Sequence, residues 1–321
     1  MSSSAGQPGS ESNNSDHTAE VNPFEYELDL SWPQIVKIGI GAVILLPIRL
    51  FLTIFVLAAG LLMCHTVSLG LETNADGHYD EPITGWRRAV YNVLVPFLAR
   101  LWLYVLGFWY IPFKGKLAKS DEAPIFVMAP HSSFMDGLVP LIFPNCYSAV
   151  TRFENRTVPM LGPLIDVVAP IYIRRERKES RQLAQQEIVR RTKQGGWPPI
   201  MIFVEGTCTN RRAMLPFKAG AFSPGAPVQP MILRYEGSPH CIWTTTHPLF
   251  LIFILYCTPM NNASVEFMEP VIPTEEEKKD APLYAENVRR KMAKYLGIPL
   301  SSYRHRDFLR MQQLATEKKS T

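Results

Sequence analysis

His131 and Asp136 are the residues of this sequence whose types and spacing best fit proton-transfer chemistry. They lie in the stretch APHSSFMD, residues 129–136, directly after the apolar run 125–128, which predicts a buried strand. An imidazole titrates near neutral pH and can take a proton from a hydroxyl group. A carboxylate on its other ring nitrogen would fix the tautomer and stabilise the imidazolium. If the turn between them folds back, the pair forms a general base with its orienting group.

A second polar stretch follows the apolar run 200–204 and has the residue types of an anion-binding turn. It reads EGTCTN from position 205, and Gly206 allows the backbone to turn sharply or to approach a ligand closely. The cations that follow it are Arg211, Arg212 and Lys218. Cations beside a glycine-containing turn suit a phosphate group, and a solvated basic loop is the alternative interpretation.

Length and composition fit one catalytic domain with a membrane-facing portion. The chain has 321 residues, of which 19% are charged and 47% hydrophobic, which excludes a mainly disordered protein. The net charge of +4 is too weak to indicate nucleic-acid binding, and the sequence has no zinc-finger, RNA-recognition or basic-zipper pattern. We therefore expect no nucleic-acid partner, whereas an anionic bilayer surface or an anionic substrate is compatible with this charge.

We predict neither a metal site nor a disulfide framework. The five cysteines form no C-x-x-C pair. The segment ETNADGHYDEP, which starts at Glu72, begins like a calcium loop, but its twelfth position is Ile83, where a bidentate Glu is needed. We interpret this segment as a surface turn.

Residues 22–70 predict a membrane anchor. The run from Ile35 to Cys64 is strongly apolar and exceeds the roughly 20 residues of helix that cross a bilayer. Pro47 removes a backbone donor, and Arg49 places a charge near the middle of the run. Two arrangements remain open: a single tilted span, or a hairpin of two shorter helices that meet at these two residues. The interruptions favour the hairpin, and a buried helix of a soluble core is the least favoured alternative.

The rest of the chain divides into four further parts. Residues 1–21 are polar and predict a disordered tail. Residues 71–122 contain an aromatic-rich apolar run, typical of a helix at the membrane interface, and a linker. Residues 123–300 alternate short apolar runs with polar helices, which predicts an α/β catalytic domain. Residues 301–321 are a C-terminal tail. The predicted strands lie at 125–128, 167–173, 200–204 and 228–233, and the predicted helices of the catalytic domain lie at 176–194 and 275–296.

Together the two polar stretches resemble the glycerolipid acyltransferase family, whose pattern is His-x-x-x-x-Asp followed by Glu-Gly-Thr. The resemblance covers most of the chain. It implies a mixed sheet flanked by helices and acyl transfer from acyl-CoA as co-substrate, without a cofactor. It also implies that His131 is the general base and that Asp136 orients it. In this family the Glu-Gly-Thr block binds the phosphorylated acceptor, which is carried here to Glu205, Gly206 and Thr207.

Further substrate-binding residues are implied by the same resemblance. The family places an arginine after an apolar strand between the two blocks, and here that residue is Arg174. The stretch TRFENR is similar to a substrate-lining block, which makes Arg152 and Glu154 second-rank candidates, with a surface turn as an equal alternative. Arg211 and Lys218, from the cationic stretch, complete the predicted set.

Cys208 stands where the wider family has an arginine. The form EGTCTN is similar to the lysophosphatidylcholine acyltransferase branch, and the loss of a cation fits an acceptor whose phosphate is already diesterified. The resemblance therefore implies acylation of a lysophospholipid, lysophosphatidylcholine foremost, in phospholipid remodelling. The alternatives are acylation of lysophosphatidic acid to phosphatidic acid and a non-catalytic lipid-binding protein. A Cys208 nucleophile is less favoured, because no second histidine is evidently paired with it.

The final residues KKST resemble a di-lysine retrieval signal, and a solvated tail is the alternative interpretation. The sequence thus predicts an endoplasmic reticulum membrane protein, with the Golgi or the lipid droplet surface as further locations. The expected partners are acyl-CoA, a lysophospholipid and the bilayer.

Overall fold

The structure, a computed structural model, describes residues 20–74, 77–143, 147–174, 177–244 and 246–320. Most of the predicted disordered tail, which was assigned to residues 1–21, lies outside these ranges. So do Asp76 of the calcium-like segment, the side chains of the lysines in the KKST signal, and Thr321.

In the described parts of the chain, seven strands form one sheet with the order β1-β7-β6-β2-β5-β3-β4. The strands are β1 Phe113–Lys114, β2 Ile125–Met128, β3 Ser148–Arg152, β4 Ile171–Ile173, β5 Ile200–Phe203, β6 Val228–Arg234 and β7 Ser264–Phe267. Neighbouring strands are parallel except β6 and β7, which are antiparallel. The central strand β2 is buried at every position, as expected for a parallel strand covered on both faces. The predicted α/β mixed sheet is confirmed.

Helices cover both faces of this sheet. They are α1 Trp32–Ser68, α2 Gly85–Val105, α3 Met135–Leu138, α4 Leu161–Asp166, α5 Lys178–Gln194, α6 Pro248–Cys257, α7 Ala281–Leu296 and α8 His305–Ser320. Because side chains alternate along a strand, β2 feeds two cores. Phe126 and Met128 pack in the core that includes residues of α2 and α6. Ile125 and Val127 pack in the core that includes residues of α5 and α7.

Helix α1 runs without a turn through Pro47, so the favoured hairpin of two shorter helices is wrong. It has 37 residues. It is the one described helix that is long and apolar enough to cross a membrane. The reason is a distant contact of Arg49, which is only 6% exposed. Its guanidinium donates to the carbonyl oxygens of Tyr256 (2.9 Å), Thr258 (2.6 Å) and Pro259 (2.9 Å), where α6 ends. The charge is thus held inside the protein against groups that a helix C-terminus leaves unpaired.

Several element boundaries differ from those predicted. The strand predicted at 167–173 is confined to Ile171–Ile173. The capping box of Thr274 and Glu277 forms, with hydrogen bonds of 2.7 and 3.2 Å, but it closes a turn. Asp280 then caps α7, which begins at Ala281. The predicted C-terminal tail contains helix α8.

The loop from Glu72 is more than a surface turn. His78 is buried, and its Nε2 accepts a hydrogen bond from the backbone N–H of Tyr172 at 3.0 Å. Gly77 has φ +81, and a Cβ there would lie 2.5 Å from Nη1 of Arg156. The loop therefore packs closely against the catalytic domain, and glycine is required at its closest approach.

A short strap, residues 20–26, joins the N-terminal side of α1 to the catalytic domain. Phe24 is buried, and its ring lies 5.2 Å from that of Phe308 on α8. The side-chain amide of Asn210 donates to the carbonyl oxygens of Asn22 and Glu25, each at 2.8 Å. The strap thus links α8 to the loop that follows β5.

Candidate active site

His131 and Asp136 are in direct contact, as their spacing predicts. The chain leaves β2 at Met128 and turns back so that α3 carries Asp136 under the imidazole. His131 Nδ1 lies 2.7 Å from Asp136 Oδ2. The carboxylate is fully buried, whereas the histidine side chain is 16% exposed. One ring nitrogen is therefore fixed by a buried acid, and the ring keeps an exposed portion.

The Asp136 carboxylate is held by three further donors. The backbone N–H groups of Ser132 (2.6 Å) and Ser133 (3.2 Å) donate to Oδ2, and the Tyr235 hydroxyl donates to Oδ1 at 2.6 Å. Burial raises the pKa of Asp136, but the bond to His131 and these neighbours outweigh it and hold the pKa below its ordinary value. The acid is therefore ionised beside the imidazole.

Tyr235 was not predicted as a site residue. It directly follows β6, which pairs with β2 in the sheet. The ends of neighbouring parallel strands meet at one edge, and a tyrosine placed there is the signal that could have identified it.

The imidazole of His131 has two further neighbours. Its ring stacks on Phe203, with centroids 4.1 Å apart. The side chain of Cys208 lies close to the same ring. The histidine beside Cys208 is thus the predicted base itself. Burial lowers the pKa of His131, but the Cys208 sulfur and the Asp136 carboxylate outweigh it and raise the pKa above its ordinary value.

Glu205 ties two loops together through its buried carboxylate. The side chain is buried, and each carboxylate oxygen already accepts a backbone N–H: Oε2 from His131 at 2.9 Å and Oε1 from Leu215 at 3.0 Å. Burial raises the pKa of Glu205 to about 7, although the two N–H donors lower it. Glu205 therefore fixes the two loops in place through its carboxylate.

The rest of the loop after β5 wraps around the His131 backbone. Thr209 donates its N–H to the His131 carbonyl oxygen at 2.7 Å. Arg211 donates to the Ser132 hydroxyl at 3.0 Å, which places its charge next to the buried acid. Thr207, two residues before Thr209, is partly exposed. The loop thus positions the base from its backbone side.

Gly206 adopts φ +70 directly beneath the Lys218 side chain. A Cβ at this position would lie 2.1 Å from Lys218 Nζ, so only glycine fits there without displacing the lysine. Both residues line a cavity of about 640 Å³, which Arg152 also lines. The structure therefore brings these three predicted residues together.

Arg174 and Glu154 are placed differently. The guanidinium of Arg174 lies 3.5 Å from the ring centroid of Phe153, a cation–π contact, and the side chain is not among those lining the cavity. Glu154 is exposed on a short 3₁₀ turn. In the part of the chain that the structure describes, no contact joins either side chain to His131.

An apolar slot of about 90 Å³ lies between helices α1 and α2 on one side and the catalytic domain on the other. Gly60 of α1, Ala99 of α2 and Leu138 of α3 line it, and its lining is almost entirely apolar. Since α3 also carries Asp136, the slot and the acid share one short helix. Among the described residues, no group of three or more His, Cys, Asp or Glu side chains is arranged to hold a metal ion.

Comparison with known proteins identifies the central part of the chain. Residues 111–234 match the family model described as Acyltransferase. This part of the chain is a glycerolipid acyltransferase domain. The match includes β1 to β6 of the sheet and both polar stretches.

Two curated relatives of this acyltransferase domain extend the similarity beyond it. Lysophosphatidylcholine acyltransferase 2 of Homo sapiens is 39% identical over 290 residues, covering 89% of this chain and 52% of the relative. Lysophosphatidylcholine acyltransferase 1 of Danio rerio is also 39% identical over 290 residues, covering 89% of this chain and 55% of the relative. The chain spans about half the length of the curated relatives it matches.

A solved structure shares the fold. The crystal structure of the 1-acyl-sn-glycerophosphate acyltransferase from Thermotoga maritima aligns with a TM-score of 0.55 at 19% identity. The alignment covers 83% of this chain and 100% of the other. At that identity the likeness supports the fold.

Proposed function

We propose that this protein is an enzyme that transfers a fatty acyl group from acyl-CoA to the free hydroxyl of a lysophospholipid, most of all lysophosphatidylcholine. The contact between His131 Nδ1 and the buried Asp136 carboxylate carries this proposal. An imidazole held in one tautomer by an ionised acid is the arrangement that removes a proton from a hydroxyl. The names of the curated relatives support the acceptor class.

The reaction needs one base and no covalent enzyme intermediate. Since Nδ1 of His131 is occupied by Asp136, Nε2 takes the proton of the acceptor hydroxyl. The hydroxyl oxygen attacks the thioester carbonyl, a C–O bond forms, and the C–S bond breaks. The CoA thiolate leaves and takes up the proton from the imidazolium. Asp136 stabilises the positive charge while the imidazole holds that proton.

Cys208 bears on the choice of acceptor. Its side chain lies against the imidazole, where the wider family has an arginine. The absence of a cation at this position favours an acceptor whose phosphate carries a single charge over lysophosphatidic acid, whose monoester carries more. Acylation of lysophosphatidic acid is the second candidate.

A membrane site suits both substrates, because each has an acyl tail. Large apolar side chains are exposed on three helices: α1 (Phe51, Phe55), α2 (Trp86, Phe97) and α6 (Leu249, Phe250). These surfaces fit a bilayer, and the aromatic residues of α2 fit its interface. We place the protein in a membrane, and the endoplasmic reticulum is the specific location that the sequence favours. We assign the apolar slot between α1 and α2 to the acyl chain.

An acceptor panel tests this function. Purified protein receives labelled acyl-CoA with lysophosphatidylcholine, lysophosphatidylethanolamine or lysophosphatidic acid, and the labelled products are separated. The proposal expects lysophosphatidylcholine to be the preferred acceptor. A preference for lysophosphatidic acid would favour the second candidate, which is acylation of that lipid. If no acceptor were acylated, both candidates would be contradicted.

A further inference from the structure

We propose that the cavity beside Gly206 and Lys218 binds the 3′-phosphoadenosine diphosphate end of acyl-CoA, with Arg181 of α5 and His305 of α8 as binding residues. This inference rests on the proposed use of acyl-CoA. Neither residue belongs to the two polar stretches, and His305 lies outside the segment that matches the family model.

The cavity gathers cationic groups from separate parts of the fold. Its volume is about 640 Å³, within the range of small-molecule sites. The basic side chains that line it are Arg152 of β3, Arg181 of α5, Lys218 of the loop after β5 and His305 of α8. Among the described lining residues there is no carboxylate. A site of this composition attracts an anion and offers several donors to it.

Apolar side chains also line the cavity, and one of them contacts the base. Ile173, Ile188 and Ile202 line it, together with Phe203. The Phe203 ring stacks on the His131 imidazole at 4.1 Å, so one wall of the cavity is the support of the general base. A ligand in this cavity therefore has its anionic end among the basic side chains and a path along apolar surface towards the reacting atoms.

Coenzyme A has the chemistry that this layout requires. It carries a 3′-phosphate and a diphosphate at one end, and a long arm joins them to the thioester. A lysophosphatidylcholine headgroup has a single phosphodiester charge and a quaternary ammonium group. The described lining supplies no carboxylate for that ammonium group, so the several basic side chains fit the polyanion better.

Helix α8 is held where it can contribute to such a site. Leu309 lines the cavity together with His305, one turn away on the same helix. The strap, residues 20–26, contacts α8. Phe24 packs on Phe308, and the Asn22 amide lies 3.9 Å from the Met311 sulfur. The helix thus forms part of the cavity wall.

Kinetics with two donor thioesters test the proposal on the full-length protein. The donors are oleoyl-CoA and its 3′-dephospho form. Arg181→Ala and His305→Ala should each raise the KM for oleoyl-CoA about tenfold and leave the KM for the lysophospholipid unchanged, because each removes a charge-assisted hydrogen bond. Wild type should prefer oleoyl-CoA to the dephospho form, and at least one of the two variants should lose this preference.

Two exposed cations on the same helices provide matched controls. Lys193 lies near the other end of α5, roughly 18 Å away by the helical rise, and Arg310 is exposed on α8. Lys193→Ala and Arg310→Ala should leave the KM for oleoyl-CoA and the discrimination against the dephospho form unchanged. If these controls behaved like Arg181→Ala, the effect would be general surface electrostatics and the proposal would be overturned.

Two further kinetic outcomes would overturn the assignment of this cavity to coenzyme A. A rise in the lysophospholipid KM alone in Arg181→Ala would assign the cavity to the acceptor phosphate. No change in either KM in both variants would remove the cavity from substrate binding. Calorimetric titration of CoA into the same proteins separates this proposal from the proposed function. Weakened CoA binding in Arg181→Ala would support the cavity even if wild type transferred acyl groups to no acceptor.

Discussion

The carboxylate of Glu205 accepts a hydrogen bond from the backbone N–H of His131 at 2.9 Å. Its other oxygen accepts the N–H of Leu215 at 3.0 Å, so a buried acid at the end of β5 ties the base to the loop that follows. The second polar stretch thus determines where the first stands. Glu205 therefore positions the backbone of His131, and Asp136 positions its ring.

Glu205→Gln should lower kcat and change the KM for the acceptor little. The amide nitrogen of glutamine cannot accept either N–H, so one of the two backbone bonds is lost and His131 shifts. We expect kcat to fall about tenfold or more, in line with the loss of about 1–3 kcal/mol for an unpaired buried donor. Steady-state kinetics with varied lysophospholipid measure this. A large rise in KM at constant kcat would show that Glu205 contacts the acceptor instead.

The same substitution has a pH signature in stability. Burial raises the pKa of Glu205 to about 7 in the folded state, above its ordinary value. Over the interval from the ordinary value up to about 7, the unfolded chain holds fewer protons at this group, so its contribution to stability decreases as the pH rises. The stability advantage of wild type over Glu205→Gln should therefore be largest at the acid end of this window and shrink towards its upper end. Chemical unfolding of both proteins at a series of pH values measures this. A stability advantage of wild type that grows as the pH rises would contradict the prediction.

Asp136→Asn and Tyr235→Phe should move the pH profile of kcat/KM in opposite directions. The Asp136 carboxylate helps raise the pKa of His131, so its loss should shift the rising limb of activity to lower pH. The Tyr235 hydroxyl donates to Asp136 at 2.6 Å and shares its charge. Without that donor the carboxylate acts more strongly on the imidazole, and the limb should shift to higher pH. Shifts of the same sign in both variants would contradict this network.

Ala99→Leu should shift donor preference towards shorter acyl chains. Ala99 is buried in the wall of the apolar slot, and leucine adds three carbons to a space of about 90 Å³. Displacing about three methylene groups, at about 0.8 kcal/mol each, should reduce kcat/KM for the longest donors on the order of tenfold or more. A chain-length series of acyl-CoA measures this, with the exposed Ala89→Leu on the same helix as control. An unchanged profile would exclude the slot as the acyl site.

Arg49→Met should destabilise the contact between α1 and α6. The substitution leaves the carbonyl oxygens of Tyr256, Thr258 and Pro259 without this donor, at a cost of about 1–3 kcal/mol for each buried group that stays unpaired. Thermal unfolding in detergent should show a lower Tm, whereas Lys37→Met, exposed on the same helix, should not. Equal Tm values for both variants would contradict the role of Arg49.

The parts of the fold that were predictable from sequence are those that local patterns determine. The runs at β2 and β5 are apolar throughout, and strands buried on both faces need this composition. The contact of His131 with Asp136 follows from a short turn after β2. By contrast β3, Ser148–Arg152, combines polar and apolar residues without a clear period, and its pairing with β5 and β4 depends on distant partners.

Long-range contacts explain what local sequence patterns could not predict. Pro47 and Arg49 suggest a break in α1 when only neighbours are considered, but the groups that satisfy Arg49 lie about 200 residues further along the chain. Cys208 and His131 are 77 residues apart in sequence, and only the fold brings them close. Glu205 has the sequence context of a ligand contact, and only the fold shows that each of its oxygens accepts a backbone N–H.

The central claim is that His131 is the base of acyl transfer, and the most direct measurement compares transfer by wild type, His131→Ala and His65→Ala. His65 is exposed in the last turn of α1 and serves as the matched control. With labelled acyl-CoA and lysophosphatidylcholine, His131→Ala should lose activity by a factor on the order of 10³, within the usual contribution of a general base, and should bind membranes like wild type. His65→Ala should remain active. If His131→Ala transferred acyl groups at the wild-type rate, His131 would not be the base.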